Sequence, residues 1–170
     1  MNTRQHEQGR IIEDFIFNEL KKDNINIYRQ ENSKNYDFSI PEEIREYLND
    51  EIILLIEKYP FDFFLIEDNK FHIIEVKSKQ VKFSKDDRKI DISHSQFDIL
   101  KELEIKGIPI KMLIVWFDDS GYYYQFYDFR KLKIIEKKKL KLKLPSEIKY
   151  SPKNIIYKKF PEDFLKPNNL

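Results

Sequence analysis

The chain contains no cysteine, which excludes disulfides and thiolate metal sites. Its histidines, His6, His72 and His94, are scattered and lack zinc-ligand spacing. No apolar run approaches transmembrane length, and the opening MNTRQHEQGR is polar, unlike the apolar core of a secretory signal. Alanine is absent, and neither internal repeats nor a low-complexity linker interrupts the chain. The expectation is a single cytoplasmic domain over residues 1–170, with no membrane association and no small-molecule cofactor.

What is present suits a globular protein. The 170 residues are 41% hydrophobic and 15% aromatic, enough to build a core despite 36% charged residues. A net charge of +1 conceals an asymmetry. Residues 1–70 carry nine basic and sixteen acidic side chains, whereas residues 130–170 carry thirteen basic and four acidic ones. An acidic front and a basic tail suit a protein that neutralises phosphates with one surface and holds a metal with another.

The stretch Tyr59 to Lys79, YPFDFFLIEDNKFHIIEVKSK, has β-forming residues on two arms and turn formers between them. A two-residue loop at Asp68-Asn69 pairs 67 with 70, 66 with 71, and eventually Asp62 with Glu75. Directly opposed residues share a sheet face, so two carboxylates meet at a Cβ separation of roughly 4.5–5.5 Å. Lys77 projects from the same face, which is otherwise the apolar stripe of Phe64, Ile66, Phe71 and Ile73. A hard divalent cation, Mg²⁺ with Mn²⁺ as substitute, would turn that repulsion into shared attraction. A plain acid–lysine ion pair at a solvated strand end is the simpler alternative.

The remaining elements follow from periodicity. Residues 4–22 form a helix with Ile11, Ile12, Phe15, Ile16 and Leu20 on its apolar face and Glu13 at the edge of it. Residues 25–29 alternate as a strand ending in Arg29. A helical insert occupies about 36–58, starting at Pro41 with Glu42 and Glu43 behind it. After the hairpin 61–67/71–77, residues 80–92 are a polar loop. Ser93 and Gln96 fit a capping box that opens a helix ended by Gly107 and Pro109. Ile110 to Phe117 reads as a buried central strand, and Tyr122 to Phe129 as an aromatic one. In KKKLKLKL, 137–144, leucines and lysines alternate, predicting a strand with one basic face that is exposed at a sheet edge or aimed at phosphate. The core of the domain is expected over about 4–129 and a basic β or irregular extension over 130–170.

This order, a helix with Glu, a strand, an Asp-bearing strand, an E-x-K strand, a helix and a buried strand, resembles the PD-(D/E)XK nuclease superfamily. Pro60-Phe61-Asp62 and Glu75-Val76-Lys77 carry its motif, with Phe61 as a one-residue departure. Gly9, Glu13, Leu20, Asn24-Ile25 and Arg29 resemble the opening of archaeal Holliday-junction resolvases, with Asn24 in place of a glycine. The helix around Gln96 and the strand after it resemble virus-type replication-repair nucleases. The resemblance spans about residues 4–117.

It implies an α/β fold: a restriction-endonuclease-like αβββαβ core with a mixed central sheet flanked by helices. It implies a Mg²⁺-dependent DNA endonuclease, selective for branched DNA or Holliday junctions, with a restriction-type enzyme or a catalytically silent nucleic-acid-binding module as alternatives. Asp62 and Glu75 would bind the metal, the Val76 carbonyl and Glu13 would add to the ligand set, Lys77 would orient the attacking water, and Gln96 would hold Lys77 or a phosphate oxygen. DNA contacts are expected from Arg29, Lys79, Lys139, Lys141 and Lys143. A homodimer would set two such sites on opposite strands.

Overall fold

The computed structural model describes residues 3–23, 25–29, 31–32, 38–59, 61–80, 89–138, 140–144, 158–162 and 164–165. The chain begins with helix α1 (Thr3–Lys22) and strand β1 (Ile27–Arg29), followed by the short strands β2 (Glu31–Asn32) and β3 (Phe38–Ser39). The insert is helical, with α2 (Glu42–Arg45) and α3 (Asp50–Glu57). The apolar run 52–56 is helical because Asn49 caps it, accepting the Ile52 N–H at 2.9 Å, and Asp50 and Glu51 sit in its first turn.

Strands β4 (Phe63–Glu67) and β5 (Lys70–Gln80) form the hairpin in the expected register, Phe63 opposite Ile74 through Glu67 opposite Lys70. Its turn residues Asp68 and Asn69 both have positive φ, 52° and 57°, the conformation of a tight primed turn that Asp and Asn tolerate better than most residues. Strand β6 (Lys89–Asp91) precedes α4 (His94–Ile105) and β7 (Ile110–Phe117). Gly107, at φ 89°, closes α4 by donating to the Glu104 carbonyl, and Ile108 N–H reaches back to Leu103. Then come β8 (Gly121–Asp128), a 3₁₀ turn at Phe129–Lys131, β9 (Lys133–Glu136), β10 (Lys141–Lys143) and β11 (Lys158–Lys159).

The main sheet has the order β1-β4-β5-β7-β8-β11. Among the described residues only its β5–β7 pair is parallel, joined by the crossover that contains α4. The mixed sheet is buried on both faces. Ile12, Ile16 and Leu20 of α1 pack on Phe63, Leu65, Ile74 and Leu113. On the other face, Ile52 and Ile56 of α3 and Leu100 and Leu103 of α4 cover Phe64, Ile73, Met112 and Ile114. The chain is therefore an α/β protein, and none of its described helices is long and apolar enough to cross a membrane.

The carboxy-terminal region departs from expectation. The strand predicted over 137–144 is only Lys141–Lys143, and it is not at an edge. It is the middle of a second sheet, β6-β10-β9. Leu140, Leu142 and Leu144 are all buried in the core cluster under α3 and α4, and that hydrophobic anchoring outweighs the exposed-edge pattern. Phe160 and Leu165 likewise join the cluster under α1, so the extension is part of both cores. Pro60, Lys139, the loop residues 81–88 and most of the tail beyond Leu144 lie outside the described residues.

Candidate active site

The site lies where β4 begins. Asp62 immediately precedes the strand, and its Oδ2 accepts the Val76 N–H at 2.7 Å, bridging the mouth of the hairpin. Ladder continuation from Phe63–Ile74 sets Asp62 beside Glu75, where the carboxyl groups interact directly. Glu75 is almost completely buried. Its Oε1 accepts from Gln96 Nε2, while its Oε2 is buried with no hydrogen-bond partner among the described residues. Lys77 Nζ lies 3.9 Å from Glu75 Oε1 and donates to Gln96 Oε1 at 3.1 Å.

Gln96 is where the structure adds most. Half of the predicted capping box exists: Ser93 Oγ accepts the Gln96 N–H at 3.1 Å. The Gln96 side chain does not return to the cap. It is buried and turned toward the sheet, accepting from the lysine and donating to the glutamate, so that one amide orients both charged groups. The first turn of α4 is thus docked on β5 by polar contacts as well as by Leu100 and Leu103.

Glu13 approaches from α1, close enough to feel the charge of Asp62, but its Oε1 accepts from Arg29 Nη2 at 3.1 Å. Arg29 also pairs with Asp14 at 2.6 Å and lies over the rings of Phe17 and Phe63. Its guanidinium is thereby occupied by internal partners. Among the described residues no group of three or more His, Asp or Glu side chains is arranged to hold a metal ion. The acidic centre is the Asp62–Glu75 pair.

Burial pushes the Glu75 carboxyl well above its usual range, and the neighbouring Asp62 charge pushes it further, against the pull of Lys77. Burial also raises Asp62, opposed by the Val76 N–H. Burial and the Asp62 charge bring Glu13 up to about 7, despite Arg29. The Tyr59 phenol, a neighbour of the pair in the sequence, is pushed up to about 12 by burial and by the charges of Glu75 and Asp62. His72 is on the opposite face of the hairpin, its Nδ1 at 3.1 Å from the Lys70 carbonyl, and His94 lies 3.5 Å from the Lys138 carbonyl.

These shifts carry a stability consequence. An acid whose folded-state value is raised holds a proton that the unfolded chain has already released. Stability therefore falls as pH rises from the ordinary value to the raised one. For Glu13 that window runs from 4.5 to about 7, and Asp62 and Glu75 act in the same direction. Calorimetry in EDTA should show a higher Tm near pH 5 than at about pH 7.5. Glu75→Gln should flatten that dependence. An equally steep profile in the variant would remove the pair as its cause.

No protein-family model matches the sequence, and no match is found among curated proteins.

Proposed function

We propose that this chain is a metal-dependent endonuclease with a restriction-endonuclease-like core, hydrolysing DNA phosphodiesters at the Asp62–Glu75–Lys77 site. The observation that carries the reading is the buried Glu75 Oε2, which lacks a donor among the described residues while a second carboxylate adjoins it. A buried carboxylate oxygen without a donor is satisfied by a proton or by a cation. Oxygen donors alone, in a chain without cysteine, fit a hard ion such as Mg²⁺ or Mn²⁺.

Asp62 and Glu75 would hold the ion, with the Val76 carbonyl as a further donor. The chemistry a divalent ion supplies at such a pair is acidification of bound water and neutralisation of charge on the phosphoryl group. The chain's own part is orientation. Gln96 fixes the Lys77 ammonium at 3.1 Å, beside the carboxylates, where it can position a water or stabilise negative charge on a phosphate oxygen. Glu13 and Arg29 form an outer ion pair that balances the acidic site from the α1 side.

Two measurements test the reading. The pure protein, incubated with supercoiled, linear and four-way-junction DNA, should cleave at least one of them with Mg²⁺ or Mn²⁺ and none in EDTA. Independently, Mg²⁺ should raise the Tm at about pH 7.5, because an ion bound only to the folded state stabilises it by mass action. Failure of cleavage with both metals would sink the enzymatic assignment.

A further inference from the structure

The small sheet β6-β10-β9 carries a row of three lysines that have no ion-pair partner among the described residues. Lys143 is directly opposite Lys89 on one neighbour and Lys133 on the other. Directly opposed residues share a face, and here that face is outward, because the alternate positions Ile90 and Leu142 are buried. Like charges directly opposite one another destabilise a sheet. No carboxylate of the described residues forms an ion pair with Lys89, Lys133 or Lys143.

The adjacent row shows how the same sheet handles a lysine it has neutralised. Lys141 lies between Asp91 and Glu136, with Glu136 Oε2 at 3.7 Å. An all-basic row beside a balanced one is not the pattern of a uniformly solvated face. Strands are about 4.8 Å apart, so the row spans about 10 Å. That is the axial length of about three phosphates of one strand of a duplex.

The row is also tied to the candidate active site. Lys79, two residues beyond Lys77 on β5, donates its ammonium to the Lys89 carbonyl. Successive odd positions of a strand share a face, so Lys79 stands on the face of β5 that carries Lys77 and reaches the backbone of the strand that carries Lys89. We infer that the Lys89–Lys143–Lys133 row is a seat for the phosphodiester backbone of DNA, holding one flank of the substrate whose scissile phosphate lies at Asp62, Glu75 and Lys77. The inference rests on the nuclease reading for the substrate, and on the cross-strand charge pattern for the location. Lys141, which the leucine–lysine alternation places among the expected DNA contacts, is excluded from the seat by its acidic neighbours.

The test is fluorescence anisotropy with a labelled DNA duplex in EDTA, over about 50 to 200 mM salt. Joint substitution Lys89→Gln, Lys133→Gln and Lys143→Gln should weaken binding about tenfold or more and flatten the log–log salt slope by about 2.7, at ~0.9 per lost phosphate contact. Lys141→Gln should change affinity by no more than about twofold. Because the triple substitution removes mutual repulsion, its Tm should be equal to or above that of the parent, so weaker binding cannot be read as unfolding. An unchanged slope in the triple variant, an equal loss from Lys141→Gln, absence of DNA binding by the parent, or a seat that binds anionic vesicles in preference to DNA would each overturn the inference. Cleavage is read separately: salt-sensitive binding without cleavage defeats the nuclease reading and leaves the seat standing, whereas cleavage with an unaltered slope does the reverse.

Discussion

Asp62→Asn is expected to abolish DNA cleavage, by about a thousandfold or more, while raising thermal stability at neutral pH. The first effect follows from the proposed chemistry: one of two charged metal donors is lost, and removal of a single preorganised charge-stabilising group already costs about 10²–10³ in rate. The second follows from geometry alone. Asn keeps the oxygen that accepts the Val76 N–H at 2.7 Å, so the mouth of the hairpin stays closed. It removes the charge that pushes Glu75 up, so the metal-free fold no longer sets a second carboxylate against the buried Glu75. Calorimetry in EDTA at about pH 7.5 should show a rise in Tm, and each ~1 kcal/mol recovered is worth about 2–4 °C in a chain of this size. Opposite movement of activity and Tm is the signature of a site whose repulsion is retained for function. A variant that cleaves normally would show that Asp62 is structural, and one that loses both activity and stability would show that its bond to Val76 is what matters.

Phe64→Ala should cost about 3–5 kcal/mol, the usual range for a buried phenylalanine. Phe64 is completely buried in the middle of β4, facing Ile73 across the hairpin, with the Phe71 ring 5.3 Å away. It lies on the face that carries α3 and α4, so the cavity opens directly beneath the site. Since whole domains are stable by only 5–15 kcal/mol, as a rule of thumb, a loss of this size is a large share of the total. Urea unfolding should show a lower midpoint with an unchanged slope. An unfolding free energy within about 1 kcal/mol of the parent would mean that neighbouring side chains collapse into the space.

The hairpin was legible because its information is local. Alternation, two turn formers and an even pairing count are sufficient to set Asp62 beside Glu75, and the observed ladder from Phe63–Ile74 to Glu67–Lys70 follows that count. Gln96 was only half legible. Ser93 three residues earlier accounts for its backbone N–H, and nothing in the local pattern reveals that its side chain is turned to β5, a contact across nineteen residues of chain. Arg29 reads as a surface cation until α1 folds over β1 and supplies Glu13 and Asp14. The leucine–lysine alternation at 140–144 identified which side chains point inward, but an edge and a centre give the same alternation. Only the non-local partners β6 and β9 make β10 central.

Strand β5 has an antiparallel neighbour joined to it by the tight turn at Asp68-Asn69 on one side and a parallel neighbour reached through the α4 crossover on the other. The two sides differ in the chain entropy that must be lost to form them, since loop closure costs more as the loop lengthens. The β4–β5 arm can zip from its tight turn on the microsecond scale of hairpins, whereas β7 must wait for the crossover to close. The two acids are thus brought together early and the lysine's amide partner arrives late. A chain still emerging from synthesis would carry the charge pair before α4 supplies the amide that orients Lys77.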